Sequence, residues 1–200
     1  MMPAEYEIRA LYDTTSITVY QAYSPAIALP AIEHNRFVPP FSLHRMTWIK
    51  PSFLWLMERS SWAQKPGQEM ILAIRITRQG WEEALSQAVL SAPLPGVYQS
   101  TTDWRAQLDQ ATVVVQWDPE RSIRGKSLPH KSIQVGLSRH IISRYVEEWT
   151  VQIQDVTPLA HKLYQLLQTG EGERVQRDLP RESPYPTPPS IARRLGMPIQ

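Results

Sequence analysis

Between residues 44 and 64 the chain reads HRMTWIKPSFLWLMERSSWAQ, which sets Trp48, Trp55 and Trp62 around a Lys50-Pro51-Ser52 turn. Indoles beside lysine and arginine suit a flat ring that carries an anion. The aromatic faces stack the ring and the cations hold the charge. Pro51 fits the first position of a helix. In that helix Ser52, Trp55, Arg59 and Trp62 fall along one side, three to four residues apart. Phe53, Leu56, Met57 and Ser60 fall on another side, which suits the core. Lys50 stands just before the helix N-terminus, where a phosphate is welcome. On the preceding strand Met46, Trp48 and Lys50 share a face. The same stripe also suits plain packing, with Trp55 and Trp62 under a neighbouring helix and Arg59 snorkelling to water.

Other residues carry chemistry by type and place. Arg9 sits in the middle of an apolar strand, so its guanidinium needs a partner. That partner is either a ligand or an internal carboxylate, Glu7 or Glu69. The string VVVQWDPER ends a buried strand in Gln116, Trp117, Asp118, Glu120 and Arg121, and strand ends are where open sheets place ligand groups. A bland alternative is an Asp-Pro turn in which Asp118 pairs with Arg121. Further on, Gln134 is polar in an apolar strand, and Gly136 beside it would admit a ligand or a backbone at close range. The intervening stretch holds Arg121, Arg124, Lys126, His130 and Lys131, followed by Arg139 and Arg144. It is either a phosphate-binding surface or a solvated loop.

Composition bounds what such residues serve. The net charge is +2 and 42% of the 200 residues are apolar, enough for a core in one domain. With no cysteine, disulfides, thiolate nucleophiles and cysteine zinc sites are excluded. His34, His44, His130, His140 and His161 lack metal-ligand spacing, so no metal is expected. There is no phosphate loop, dinucleotide glycine fingerprint or GxSxG. No apolar run approaches the roughly 20 residues of a membrane helix, and MMPAEYEIRA lacks a secretory pattern. The expectation is a cytoplasmic protein with no membrane partner.

The elements that must position these residues follow from periodicity. YEIRALY, RMTWI, QEMILAIRIT, ATVVVQW and SIQVGL are expected as strands. DTTS reads as a cap before a helix over ITVYQAY, and PAIALPAI as a short helix started by Pro25. PSFLWLMERS, GWEEALSQAVL, SRHIISRYVEEWTVQIQ and a segment from Pro158 to Gly170 read as helices. DPERSIRGKSLPHK is expected as a long polar loop. The spacing predicts an α+β fold: a single domain over residues 1–170 with a mixed, largely antiparallel central sheet flanked by helices, and a proline-rich tail over residues 171–200, surface-wrapped or disordered.

The strings RALYDTTSITVYQAY, RMTWIKPSFLWLMERSSWA, VVVQWDPER, SIQVGL and YPTPPSIARRLGM resemble the domain-of-unknown-function family numbered 4291, over nearly the whole chain. The order of elements is also similar, more distantly, to the ADP-ribosyltransferase superfamily and its nucleic-acid-modifying branch. That resemblance implies an ADP-ribosyltransferase-like arrangement with NAD as substrate. It implies that Arg9 and Tyr12 meet the cofactor, that Trp48 and Trp55 wall the nicotinamide site, and that Lys50 and Ser52 hydrogen-bond nearby. Gln134 stands where the superfamily has a late acidic residue. Because glutamine carries no charge, Asp118 or Glu120 would have to supply it. Arg121, Arg124, Lys126 and Lys131 would face a nucleic-acid acceptor. Two other readings stay open: a non-catalytic binder of nucleotide or single-stranded nucleic acid, and an interaction module that works through its proline-rich tail.

Overall fold

The computed structural model describes residues 3–198. In chain order its elements are β1 (Arg9–Ala10), β2 (Ser16–Tyr23), α1 (Pro25–Glu33), β3 (Thr47–Ile49), α2 (Phe53–Ser60), β4 (Met70–Thr77) and α3 (Arg78–Ser86). Then come β5 (Val89–Leu90), α4 (Thr101–Asp109), β6 (Val113–Arg121), β7 (Ser127–Leu137) and α5 (Ile142–Arg144). A π-helical turn (Tyr145–Trp149) runs into β8 (Thr150–Asp155), followed by α6 (Thr157–Gln168), α7 (Gly172–Asp178), β9 (Ser183–Pro184) and α8 (Pro189–Arg194). The chain is α+β.

The strands form two main sheets. One is antiparallel in the order β2-β4-β8. The other runs β3-β7-β6-β5, antiparallel except for the parallel β5-β6 pair. The Tyr20 N–H donates to the Lys50 carbonyl at 2.6 Å and ties β2 to the end of β3. The main core lies between the sheets. Ile17, Val19, Leu72, Ile74 and Ile76 face Ile49, Val115, Ile133 and Val135 there, with Trp81 of α3 fully enclosed. A second cluster lies on the other face of β2 and β4, where Tyr20, Ile71 and Ala73 meet Phe53, Leu56 and Met57 of α2 and Ala160 and Leu163 of α6.

ITVYQAY is a strand, not the expected helix. Asp13 Oδ1 accepts the N–H groups of Thr15 and Ser16 at 2.8 and 2.7 Å, closing a turn instead of capping a helix. β-branched and aromatic residues then suit the sheet. The expected long loop is a hairpin: β6 continues to Arg121, β7 starts at Ser127, and only residues 122–126 turn. SRHIISRYVEEWTVQIQ is helical only from Ile142 to Trp149, and β8 pairs with β4 from Thr150 on. Pro51 lies before α2, whose N-cap is Ser52.

Residues beyond 170 fold back onto the body. β9 pairs with β1, and Val175, Tyr185, Ile191 and Leu195 are buried. The last two residues of the expected tail lie outside the described residues. Among the described residues no helix is long and apolar enough to cross a membrane.

Gly80 shows how tightly α3 is packed. A Cβ built there would lie 2.3 Å from Trp149 Cγ, inside van der Waals contact with a buried indole. Gly80→Ala is therefore expected to lose about 1–3 kcal/mol through overpacking, read as a lower urea midpoint at unchanged slope.

Candidate functional site

The stripe seen in the sequence divides. α2 ends at Ser60, and Ser61, Trp62 and Ala63 take left-handed φ values of 51°, 57° and 65°. Trp62 is thereby carried away to Tyr164, ring centroids 5.9 Å apart. Trp55 and Arg59 stay on the cleft side. A cleft of 440 Å³ opens between the end of β2, the start of β3, α2 and the middle of β6 and β7. Arg45, Trp48, Lys50, Trp55, Arg59 and Gln134 are among its lining residues. Lys50 Nζ lies 5.3 Å, and the Arg59 guanidinium 5.7 Å, from the centroid of the Trp55 ring. Lys50 also donates to the Trp48 carbonyl at 3.3 Å.

Burial, reinforced by the positive charge of Arg59, lowers the Lys50 ammonium to about 8, with Asp118 acting the other way. Asp118 is fixed on both oxygens: Gln116 Nε2 donates to Oδ1 at 2.8 Å and Gln134 Nε2 donates to Oδ2 at 2.7 Å. The two glutamines face each other across β6 and β7. Asp118 thus makes no turn with Arg121, whose Nη1 instead donates to the Gly125 carbonyl and Ser127 Oγ. The space at Gly136 is filled by the protein itself. A Cβ there would lie 2.7 Å from Met46 Sδ and 3.0 Å from the Trp48 ring.

Beneath the cleft runs a buried polar network. Gln21 Nε2 lies 2.7 Å from Thr47 Oγ1, 2.9 Å from the Tyr23 hydroxyl and 3.0 Å from the Trp48 carbonyl. Its oxygen accepts the Tyr145 hydroxyl at 2.8 Å. Such satisfied networks hold a cleft wall rigid. Gln21 escapes a helical reading of ITVYQAY. In a strand it shares a face with Val19 and Ile17, and a lone amide on an apolar face is the signal.

Ser52 sits at the far side of α2's N-terminus. Its hydroxyl oxygen accepts the Trp55 N–H at 3.2 Å, and the hydroxyl donates to Glu120 Oε1 at 3.0 Å. Ser52 and Glu120 line a second cleft of 560 Å³, together with Arg9, Arg121, His130, Arg181 and Glu182. Arg9 donates to Glu7 at 2.8 Å, the internal pairing open to it in the sequence, and to the Glu182 carbonyl at 3.1 Å. Glu182, hidden in the proline-rich segment, accepts the Phe53 N–H at 2.7 Å. Burial pushes its carboxyl up to about 8; the Phe53 bond and Arg9 oppose this, and Glu120 adds to it.

The remaining candidates scatter. Tyr12 donates to the Pro184 carbonyl and lines a third cleft. Arg124 and Lys126 lie in the hairpin turn itself. The Lys131 N–H donates to the Glu5 carbonyl on the outer side of the sheet. Among the described residues no group of three His, Asp or Glu side chains is placed to hold a metal ion.

A model of the family described as Domain of unknown function (DUF4291) matches residues 7–185. No curated protein matches the chain.

The Glu182 carboxyl makes stability depend on pH. Between its ordinary value of 4.5 and about 8 the folded state keeps a proton that the unfolded chain has released. Raising the pH across that window therefore favours unfolding. Glu182→Gln is expected to flatten the decline of the urea midpoint between pH 5 and 8.

Proposed function

The chain belongs to the DUF4291 family, whose model spans every strand and helix that builds the aromatic cleft, and from that cleft we propose that the protein binds a nucleotide there and acts as an NAD-dependent ADP-ribosyltransferase. One observation carries this reading: Gln116 and Gln134, which line the cleft with Lys50 and Trp55, hold both oxygens of the Asp118 carboxylate at 2.8 and 2.7 Å, and its charge favours the Lys50 ammonium. Cations for a pyrophosphate, an indole for a ring and a preoriented carboxylate are the parts that cleavage of a nicotinamide–ribose bond requires.

The roles follow from charge. Arg45, Lys50 and Arg59 neutralise the pyrophosphate. Trp48 and Trp55 hold the ring and exclude water. As the bond to nicotinamide breaks, its electron pair stays with the departing ring nitrogen and positive charge grows on the ribose carbon. Asp118, already oriented, stabilises that charge without reorganising. It then takes the proton of the attacking acceptor group. In this arrangement Gln134 serves as the donor that aims Asp118, which accounts for an amide where an acid is usual. A plain nucleotide binder needs the cations and indoles but not the fixed carboxylate.

Calorimetry with NAD, with nicotinamide release followed in the same sample, tests this. Lys50→Ala is expected to weaken binding about tenfold or more, as loss of a charged hydrogen bond does. Asp118→Asn is expected to keep the affinity and lose release. A folded wild type that binds NAD without releasing nicotinamide would reduce the protein to a binder, and one that does not bind NAD would end the proposal. The pH course is a separate expectation. Affinity holds below about 8 and falls above it as Lys50 loses its proton, whereas Lys50→Arg stays flat across that range.

A further inference from the structure

The second cleft, separated from the aromatic one by the N-terminal turn of α2, has a composition that the first does not explain. Its 560 Å³ is lined by Arg9, Arg121, His130 and Arg181, yet also by Glu120 and Glu182. Glu120 is only 9% exposed. Both of its hydrogen bonds, from the Ser52 hydroxyl and from the Arg121 N–H, fall on Oε1. Oε2 has no hydrogen-bond partner among the described residues. Arg121 adds a second unmet group, a buried Nε without a partner. The second Glu120 oxygen therefore stays accessible as an acceptor, beside an Arg121 guanidinium whose Nε is buried without a partner, and a ligand in this cleft would meet both an acceptor and positive charge.

The two groups ask for opposite things. The free Glu120 oxygen needs a donor. An amine would supply one, but it would meet Arg9, Arg121 and Arg181. A bare phosphate would suit the guanidinium groups but would face the Glu120 carboxylate. A molecule with a hydroxyl at one end and a phosphate at the other meets both demands. We propose that this cleft is a binding site for a sugar phosphate, with Glu120 accepting from a ring hydroxyl and Arg121, Arg181 and His130 receiving the phosphate. Glu182, pushed up to about 8 by burial, is protonated at neutral pH and adds no second negative charge against the phosphate. Arg9 is already committed to Glu7 and the Glu182 carbonyl, so it shapes the wall.

The site is independent of the nucleotide cleft, and its test does not use NAD. Amide resonances of the full chain are followed by NMR during titration with ribose 5-phosphate and, separately, with inorganic phosphate. Ribose 5-phosphate is expected to shift residues 120–131 and 176–182, with Trp48 and Trp55 unmoved, and to bind about tenfold more tightly than phosphate. Glu120→Gln keeps an acceptor for Ser52 but turns a donor toward the ligand. It is expected to erase the preference for ribose 5-phosphate while leaving phosphate binding at least as tight as in the wild type. Arg181→Ala removes an exposed side chain that makes no hydrogen bond or ion pair among the described residues, and is expected to weaken both probes. Absence of shifts at the cleft, equal affinity for the two probes in the wild type, or an unchanged preference in Glu120→Gln would overturn the proposal.

Discussion

The hydroxyl of Ser52 is the hinge of the architecture. It is 2% exposed, accepts the Trp55 N–H as the cap of α2, and donates a hydrogen bond to Glu120 on β6. A hydroxyl is the one small group that does both at once. An aspartate would cap the helix but repel Glu120, and an alanine would leave the buried Trp55 N–H unmatched and strip Glu120 of one of its two hydrogen bonds. This bond fixes the first turn of α2 against the second sheet, while the preceding Lys50 carbonyl is tied to Tyr20 on the first. With both ends pinned, Lys50 and Trp55 face one cleft and Ser52 and Glu120 the other.

The aromatic cleft is electrostatically expensive and is built to carry the expense. Lys50 is held largely out of water beside Arg59, which costs stability while it is charged. Asp118 offsets part of this, and its own lone pairs are met by amides from two adjacent strands. Below, Gln21 links β2, β3 and the π-helical turn through Thr47, Trp48 and Tyr145. Each of these groups is fixed by hydrogen bonds within the protein, the kind of support that the proposed site would need.

Much of this was legible in the sequence where side-chain pattern and backbone chemistry agree. The strand-proline-serine-helix passage around Lys50 declares itself through Pro51 and the apolar spacing of Phe53, Leu56 and Met57. The interior strands β4, β6 and β7 declare themselves through unbroken apolar runs. β2 misled because DTTS carries cap residues, and the side chain of Asp13 was free to close a turn instead. α4 left no stripe to read because none of its residues is buried. The hairpin at residues 122–126 looked like loop because both of its faces are polar there. Trp48, Lys50, Trp55 and Gln134 line one cleft, and Asp118 is bonded to Gln134 at its wall. Arg9, Ser52 and Glu120 belong to the neighbouring cleft, a separation set by which side of α2's first turn each element passes. Glu182 was invisible because only tertiary folding brings residue 182 to the N–H of Phe53.

The central claim is that the aromatic cleft takes the nucleotide. A crystal structure of the protein with NAD tests it most directly. The account predicts the pyrophosphate among Arg45, Lys50 and Arg59, a ring against Trp55, and the Asp118 carboxylate beside the ribose carbon that bears nicotinamide. NAD seated in another cleft, or with its ribose turned away from Asp118, would contradict it.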